Sequence, residues 1–460
     1  MPIVGHGWDW RGIARGSWVA QKAITSTAQP FPGTTKPMIR QLHCLAILCI
    51  ASGAIAAEIT LDDALRLAKE RNGTVVAAYL DVKSAQSSVR QAKSSFLPSV
   101  TPRFSWSDDR VEIYSGPGVS SRSSGSNLDI AATWKVLDSG QRQFRLASAQ
   151  ASALGEEAGA LLTLRNQLVA VTQNFYDSLR AKELLRVQQA QFDRATLILN
   201  QTKARAEVGD IAKKDILQAE ADQLNAQVSL LGAQNDVKTS LTALKTTIGW
   251  GTSDGKLELK EEAVPALTAY EGTLDELITQ ALANRPDLIA ARRGLDSQRY
   301  AVRIAKADAG LDLSVDATYN HSFYRYDTGR SGLGLSISFP LYDGGSSREN
   351  VRQRELAYES ARVRLGQSEL DVRGDVEQAY YTYDTNVARL AASQKALEAA
   401  RKNFEAASRS QALGASSLIE VQLAQTSLVT AEVNAVQAVY DALISEVRLR
   451  LAIGVPLRGE

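Results

Sequence analysis

Cysteine is almost missing. The 460 residues include two, Cys44 and Cys49. Both fall inside a removable leader (below), which excludes disulfides and thiol chemistry from the remainder. Histidine is as scarce: of three, only His321 lies beyond residue 57. No histidine–cysteine cluster, phosphate loop or nucleophile motif is present, so the sequence offers no enzyme chemistry, no metal site and no cofactor. Asp108 and Asp109 read as loop charge. Neither sign of charge dominates, with 52 basic against 51 acidic residues, which removes the usual argument for a nucleic-acid partner. Proline is missing from Gly118 to Val264 and again from Leu341 to Val455, so nothing breaks a long helix in either stretch.

Residues 1–57 stand apart. Met38-Ile39-Arg40 is a short basic start, Leu45 to Ala51 an apolar core, and Ala54-Ile55-Ala56 a small-residue cleavage site. Together they read as a secretory signal, cleaved near Ala56/Ala57. The apolar core is too short for a permanent membrane helix. Met38 is the expected initiator, with residues 1–37 a mis-assigned start or an unstructured leader. Leu48 before Cys49 is too bulky for a lipoprotein signal, so no lipidation is expected. The exported part begins near Glu58 and is slightly acidic.

What the chain has in plenty is periodicity. Val421, Ala424, Leu428, Ala431, Ala435, Ala438, Ala442, Ser445 and Leu449 recur at steps of three and four, which is coiled-coil spacing. Val376, Tyr380, Tyr383, Val387, Leu390, Leu397 and Phe404 form a matching seam before the turn at Leu413-Gly414-Ala415. The same pattern occurs 205 positions earlier: Ile216, Ala219, Gln223, Ala226, Leu230, Ala233, Val237, Ser240 and Leu244. Asp138-Ser139-Gly140 repeats as Asp343-Gly344-Gly345, and Val208-Gly209 as Leu413-Gly414. Upstream the offset is 213, pairing Thr60-Leu61-Asp62 with Thr273-Leu274-Asp275. The chain is a tandem duplication. The expected division is 58–250 for the first unit, with a hairpin about 99–138 and long helices about 141–248. A linker at 251–272 follows, then a second unit at 273–460, with a hairpin about 311–343 and helices about 346–452.

In the hairpins the period falls to two. Val100, Pro102, Phe104 and Trp106 alternate with polar residues, as do Leu128, Ile130, Ala132, Trp134 and Val136. Leu313, Val315, Ala317 and Tyr319 continue the pattern, and so do Leu333, Leu335, Ile337, Phe339 and Leu341. The other face carries Arg103, Asp129, Lys135, Asp312 and Asp316. Trp106, Trp134, Tyr319, Tyr324 and Phe339 would form aromatic girdles, with the helices expected to be aromatic-poor. A lipid-facing sheet cannot keep open edges, and closed barrels begin near eight strands. Four strands per chain therefore imply assembly, as a dimer or a trimer, around a water-filled lumen.

The signal, the duplicated helix–hairpin–helix unit, the junction Phe339-Pro340-Leu341-Tyr342-Asp343-Gly344-Gly345 and the two helix turns resemble the TolC family of outer-membrane channels. The resemblance implies a mainly α fold with a membrane β-barrel part: a homotrimer sharing a twelve-stranded barrel above a twelve-helix periplasmic tunnel. It implies an outer-membrane exit channel, for tripartite efflux or type I secretion, reaching across the periplasm. Its partners would be outer-membrane lipid, a periplasmic adaptor and an inner-membrane pump of RND, ABC or MFS type. Glu420, Leu423 and Asp215 would constrict the pore. The turns Val208-Gly209-Asp210 and Leu413-Gly414-Ala415 would dock the adaptor. Asp138, Gly140, Pro340, Asp343, Gly344 and Gly345 would shape the strand–helix junctions. Ser417 to Glu420 also reads as a capping box. Ser416 and Leu423 depart from the family pattern, which leaves the closed state unspecified. A soluble periplasmic coiled-coil adaptor or scaffold is the alternative.

Overall fold

The computed structural model describes residues 57–113, 119–207, 212–251, 254–260, 267, 270, 272–323, 328–413 and 415–460. The signal segment, Val208, Gly209, Asp210, Gly414 and Tyr324 lie outside them. A short strand β1 (Ala57–Ile59) leads into helices α1 (Leu61–Arg71) and α2 (Gly73–Ser94). Strands β2 (Ser99–Ile113) and β3 (Val119–Asp138) follow, then the long helix α3 (Gln141–Glu207) and its return α4 (Lys213–Ile248). After β4 (Leu257–Leu259) the order repeats: α5 (Leu274–Asn284), α6 (Pro286–Asp308), β5 (Asp312–Ser322), β6 (Thr328–Ser338), α7 (Ser346–Ala412) and α8 (Leu418–Ile453).

The duplication extends to the caps. Thr60 and Thr273 each accept the backbone N–H three residues on, and Asp63 and Glu276 reach back to the cap backbone. Two later glycines serve the same purpose as each other. Gly249 and Gly454 cap α4 and α8 with φ of 68° and 80°. A Cβ on Gly249 would lie 2.9 Å from the Arg71 carbonyl oxygen, and one on Gly454 would lie 3.1 Å from the Arg285 nitrogen. These close approaches stack α4 end to end below α2, and α8 below α6. Asn72 fastens the first joint, donating to the Thr247 carbonyl at 2.8 Å.

Long helices α3 and α7, each 67 residues, extend roughly 100 Å at 1.5 Å per residue. Near the strands the packing order across the chain is α2, α3, α6, α7; farther away it is α4, α3, α8, α7. The three-four seams supply the buried contacts: Ala219, Ala226, Ala233 and Leu244 on α4, and Val421, Ala424, Leu428, Ala438, Ala442 and Leu449 on α8. Alanine at these positions lets the backbones approach closely. Two cores sit where the stacked helices meet. One centres on Leu65, Leu168, Phe175, Leu244 and Ile248, the other on Ile278, Leu288, Val376, Leu449 and Ile453. Phe175, Tyr383 and Tyr440, among the few aromatic residues of the helices, are buried in them.

Candidate functional site

The antiparallel strands form one sheet in the order β2-β3-β5-β6. Its register aligns most of the apolar positions predicted by alternation. Val100, Ala132, Ala317 and Leu333 make one row across the sheet, and Trp134, Val315 and Leu335 another. Leu333 is 80% exposed and Leu335 66%. Phe104, Trp106 and Ile337 are also exposed, so no described element covers this face. The opposite face is polar and small. Ser99, Thr133, Asp316 and Gly334 share a row, with Thr133 donating to Asp316 at 2.9 Å. Lys135 pairs with Asp312 at 3.1 Å.

Two details correct the simple alternation. A bulge between Lys135 and Leu137 puts Leu137, not Val136, opposite Leu313. And β6 ends at Ser338, paired with Asp312. Phe339, Pro340 and Leu341 therefore lie beyond the strand: β5 offers no partner past Asp312, and Pro340 has no N–H to give a ladder.

The strand–helix junctions repeat one device. Asp138 accepts the Arg142 backbone N–H at 3.0 Å, and Asp343 accepts that of Ser347 at 2.8 Å. Each carboxylate thus satisfies an orphan donor at a helix start. Gly140, Gly344 and Gly345 take φ of 86°, 68° and 88° to make the bend. The copies differ in surroundings. Asp138 is buried and gripped by the Arg142 guanidinium at 2.7 Å, which also donates to the Lys135 carbonyl at 2.6 Å and pins the bulge. Asp343 is exposed beside Pro340, and its hydrogen bonds from Ser347 and Gly345 hold its carboxyl below the usual range.

At the far ends of the helices, Leu413 and Ala415 are exposed, the latter donating to the Ser410 carbonyl at 2.9 Å. Ser417 caps α8 by accepting the Glu420 N–H at 3.3 Å. The capping box is only half made, because the Glu420 carboxylate takes the Ser416 hydroxyl instead of the Ser417 N–H. Glu420 is exposed, and Leu423, 65% exposed, lies one turn along the same helix. Asp215 sits in the first turn of α4, whose cap Ala212 offers no side-chain bond. Gln422 donates to Asp222 at 2.6 Å, joining the starts of α8 and α4.

The chain matches, over residues 64–250 and 277–455, the family described as outer membrane efflux protein. The chain belongs to that family. It is similar to outer membrane protein TolC of Vibrio cholerae, 26% identical over 427 residues, covering 90% of this chain and 94% of the relative. It is also similar to outer membrane efflux protein BepC of Brucella suis, 22% identical over 426 residues, with 90% of each chain covered. Its fold is that of the Campylobacter jejuni CmeC outer membrane channel, with a TM-score of 0.76 at 17% identity, covering 86% of this chain and 85% of that one. An outer membrane efflux protein belongs to the transporters, and this family is one of channels rather than of enzymes.

Periodicity did not reveal three ion-pair clusters of this family member. Arg285 binds Asp287 with two nitrogens and reaches Asp375 at 3.1 Å, joining α6 to α7. Burial opposes the charges, yet the pairing prevails: the Asp287 carboxyl is lowered and the Arg285 guanidinium raised. Arg180 and Arg389 both approach Asp441 on α8, at 3.1 and 3.9 Å. Arg165 is buried against Glu460. Only an apolar seam, not a partner hundreds of residues away, is visible in sequence spacing.

Proposed function

We propose that this chain is the passive exit duct of a tripartite efflux or type I secretion system, crossing the outer membrane and the periplasm. The single observation that carries the reading is the sheet, whose apolar face is uncovered and whose outer edges, β2 and β6, have no further strand partner among the described residues. Hydrocarbon tolerates no open edge, so β6 of one copy must meet β2 of another, and closure of three copies gives a twelve-stranded barrel. The helices agree with that seam. On α4, Leu217, Leu224, Val228 and Leu231 form a second, exposed heptad stripe, and α7 exposes Leu356, Val363 and Leu370. Both helices end the packing order of the chain, so α7 would face the next copy's α2 near the barrel and its α4 below. The polar sheet face then lines a water-filled lumen.

In this arrangement Glu420, Leu423 and Asp215 converge near the lower mouth. The turns around Val208, Gly209 and Asp210 and around Leu413, Gly414 and Ala415 meet a periplasmic adaptor, and through it an inner-membrane pump of RND, ABC or MFS type supplies the energy. The chain itself performs no catalysis. Its repeats, 58–250 and 273–460, act as two walls joined by the equatorial linker 251–272.

Membrane fractionation tests the reading. The expected result is a trimer that resists carbonate extraction and co-sediments with outer membrane. Release by carbonate as a soluble protein would support a periplasmic scaffold instead.

A further inference from the structure

The charges of the polar sheet face are not scattered. Register places Arg103, Asp129, Asn320 and Arg330 in a single row running across all four strands. The row below is Thr101, Ala131, Thr318 and Gly332, and the row above is Ser105, Asn127, Ser322 and Thr328. Neither flanking row carries a charge. Asp129 accepts a hydrogen bond from Asn320, its neighbour away from Arg103. Arg103 and Arg330 are both exposed, and neither takes part in an ion pair among the described residues. Each chain therefore brings two arginines and one carboxylate to this level.

The next acid on this face toward the helices is Asp316, four residues along β5 from Asn320. At about 3.3 Å per residue that is ~13 Å, beyond a Debye length of roughly 8–10 Å in physiological salt. Asp316 is also engaged by Thr133 and Ser314, at 2.9 and 3.1 Å. It does not neutralise the arginines. Both arginines, moreover, stand on edge strands, Arg103 on β2 and Arg330 on β6. Closing the barrel would set each edge strand beside the neighbouring copy, and no carboxylate of the row lies outward of either arginine on its own sheet.

We infer that Arg103 and Arg330 form an anion-attracting collar in the outer half of the lumen, a station for solutes bearing carboxylate or phosphate groups. Guanidinium suits this role: it stays charged at any working pH and offers paired donors to planar or tetrahedral oxyanions. The flanking rows of Ser, Asn, Thr, Gly and Ala add no charge of their own. A lumen with low-dielectric walls concentrates such a field. The inference rests on the barrel reading above.

The test uses the full chain reconstituted in planar bilayers under a potassium chloride gradient, with inorganic pyrophosphate as the probe anion. Arg103→Gln/Arg330→Gln is expected to move the reversal potential toward cations and to abolish concentration-dependent block by pyrophosphate. Each single Gln variant should shift part of the way, and Arg103→Lys/Arg330→Lys should keep the wild-type sign. An unchanged reversal potential and unchanged block in the double Gln variant, in channels that insert as trimers, would overturn the collar and leave the barrel standing. Failure of the wild-type chain to give any conductance would overturn the barrel, and the collar with it.

Discussion

Arg165 on α3 binds the carboxylate of Glu460 with two nitrogens, Nη2 to Oε1 at 2.9 Å and Nε to Oε2 at 3.1 Å, both side chains being almost wholly buried. The remaining polar atoms are also used. Nη1 donates to the Gly454 carbonyl at 3.0 Å, and Oε2 accepts the Leu457 N–H at 3.0 Å. Residues 455–460 thereby fold back over the first core, where Arg458 meets Asp62 at 2.6 Å. Glu460→Ala would strand a buried guanidinium, and breaking one side of such a pair costs about 3–5 kcal/mol. The expected outcome is a clear fall in the melting temperature of the detergent-solubilised protein. Arg458→Ala, at an exposed pair, should change it far less.

Acid should loosen the contact between α6 and α7. Pairing with Arg285 lowers the Asp287 carboxyl despite the burial that opposes it. A depressed carboxyl contributes stability that is full above the ordinary carboxylate range and lost as pH falls through it, below about pH 4. Asp287→Asn should be less stable than the parent at neutral pH, and that difference should shrink on acidification. Urea midpoints measured across the pH range check this.

Charge on the outer sheet face should prevent insertion. Leu335→Asp and Ile337→Asp each place a carboxylate in lipid, at a depth-dependent cost that reaches a few kcal/mol for basic residues at the midplane and less for acidic ones. Loss of heat-resistant trimers in the double variant is expected. Normal trimers would mean that the faces are assigned backwards.

The lower mouth yields a contrast between two neighbours. On the proposed trimer Glu420→Gln would remove three converging charges, so cation selectivity and block by trivalent cations should weaken. Its backbone N–H still finds Ser417, so trimer stability should hardly change. On the same trimer Leu423 would form an apolar ring, and Leu423→Ala should raise basal conductance by widening it. Ser416→Ala frees the Glu420 carboxylate from its hydroxyl partner and should strengthen the trivalent-cation block. Selectivity unaltered in Glu420→Gln, with a lower melting temperature, would confine Glu420 to helix capping.

The seams were legible because coiled helices bury a fixed fraction of positions, and Ala219, Ala226, Ala424 and Leu428 are buried where spacing puts them. The sheet faces were legible for the same reason, at period two. Where a backbone irregularity intervenes the pattern misleads: the bulge exchanges Val136 for Leu137, and the ladder stops at Ser338 although apolar residues continue the alternation past it. The half-made capping box was hidden because Ser416 and Ser417 compete for one side chain, and spacing alone cannot say which one wins. Arg165 and Glu460 stand 295 positions apart, and no local signal joins them.

The most direct measurement of the central claim is single-channel recording from the purified chain in lipid bilayers. The account predicts stepwise, long-lived conductance from a trimer without any added partner or energy source. A chain that binds or ignores the bilayer without forming steps, and that remains monomeric in detergent, would contradict it.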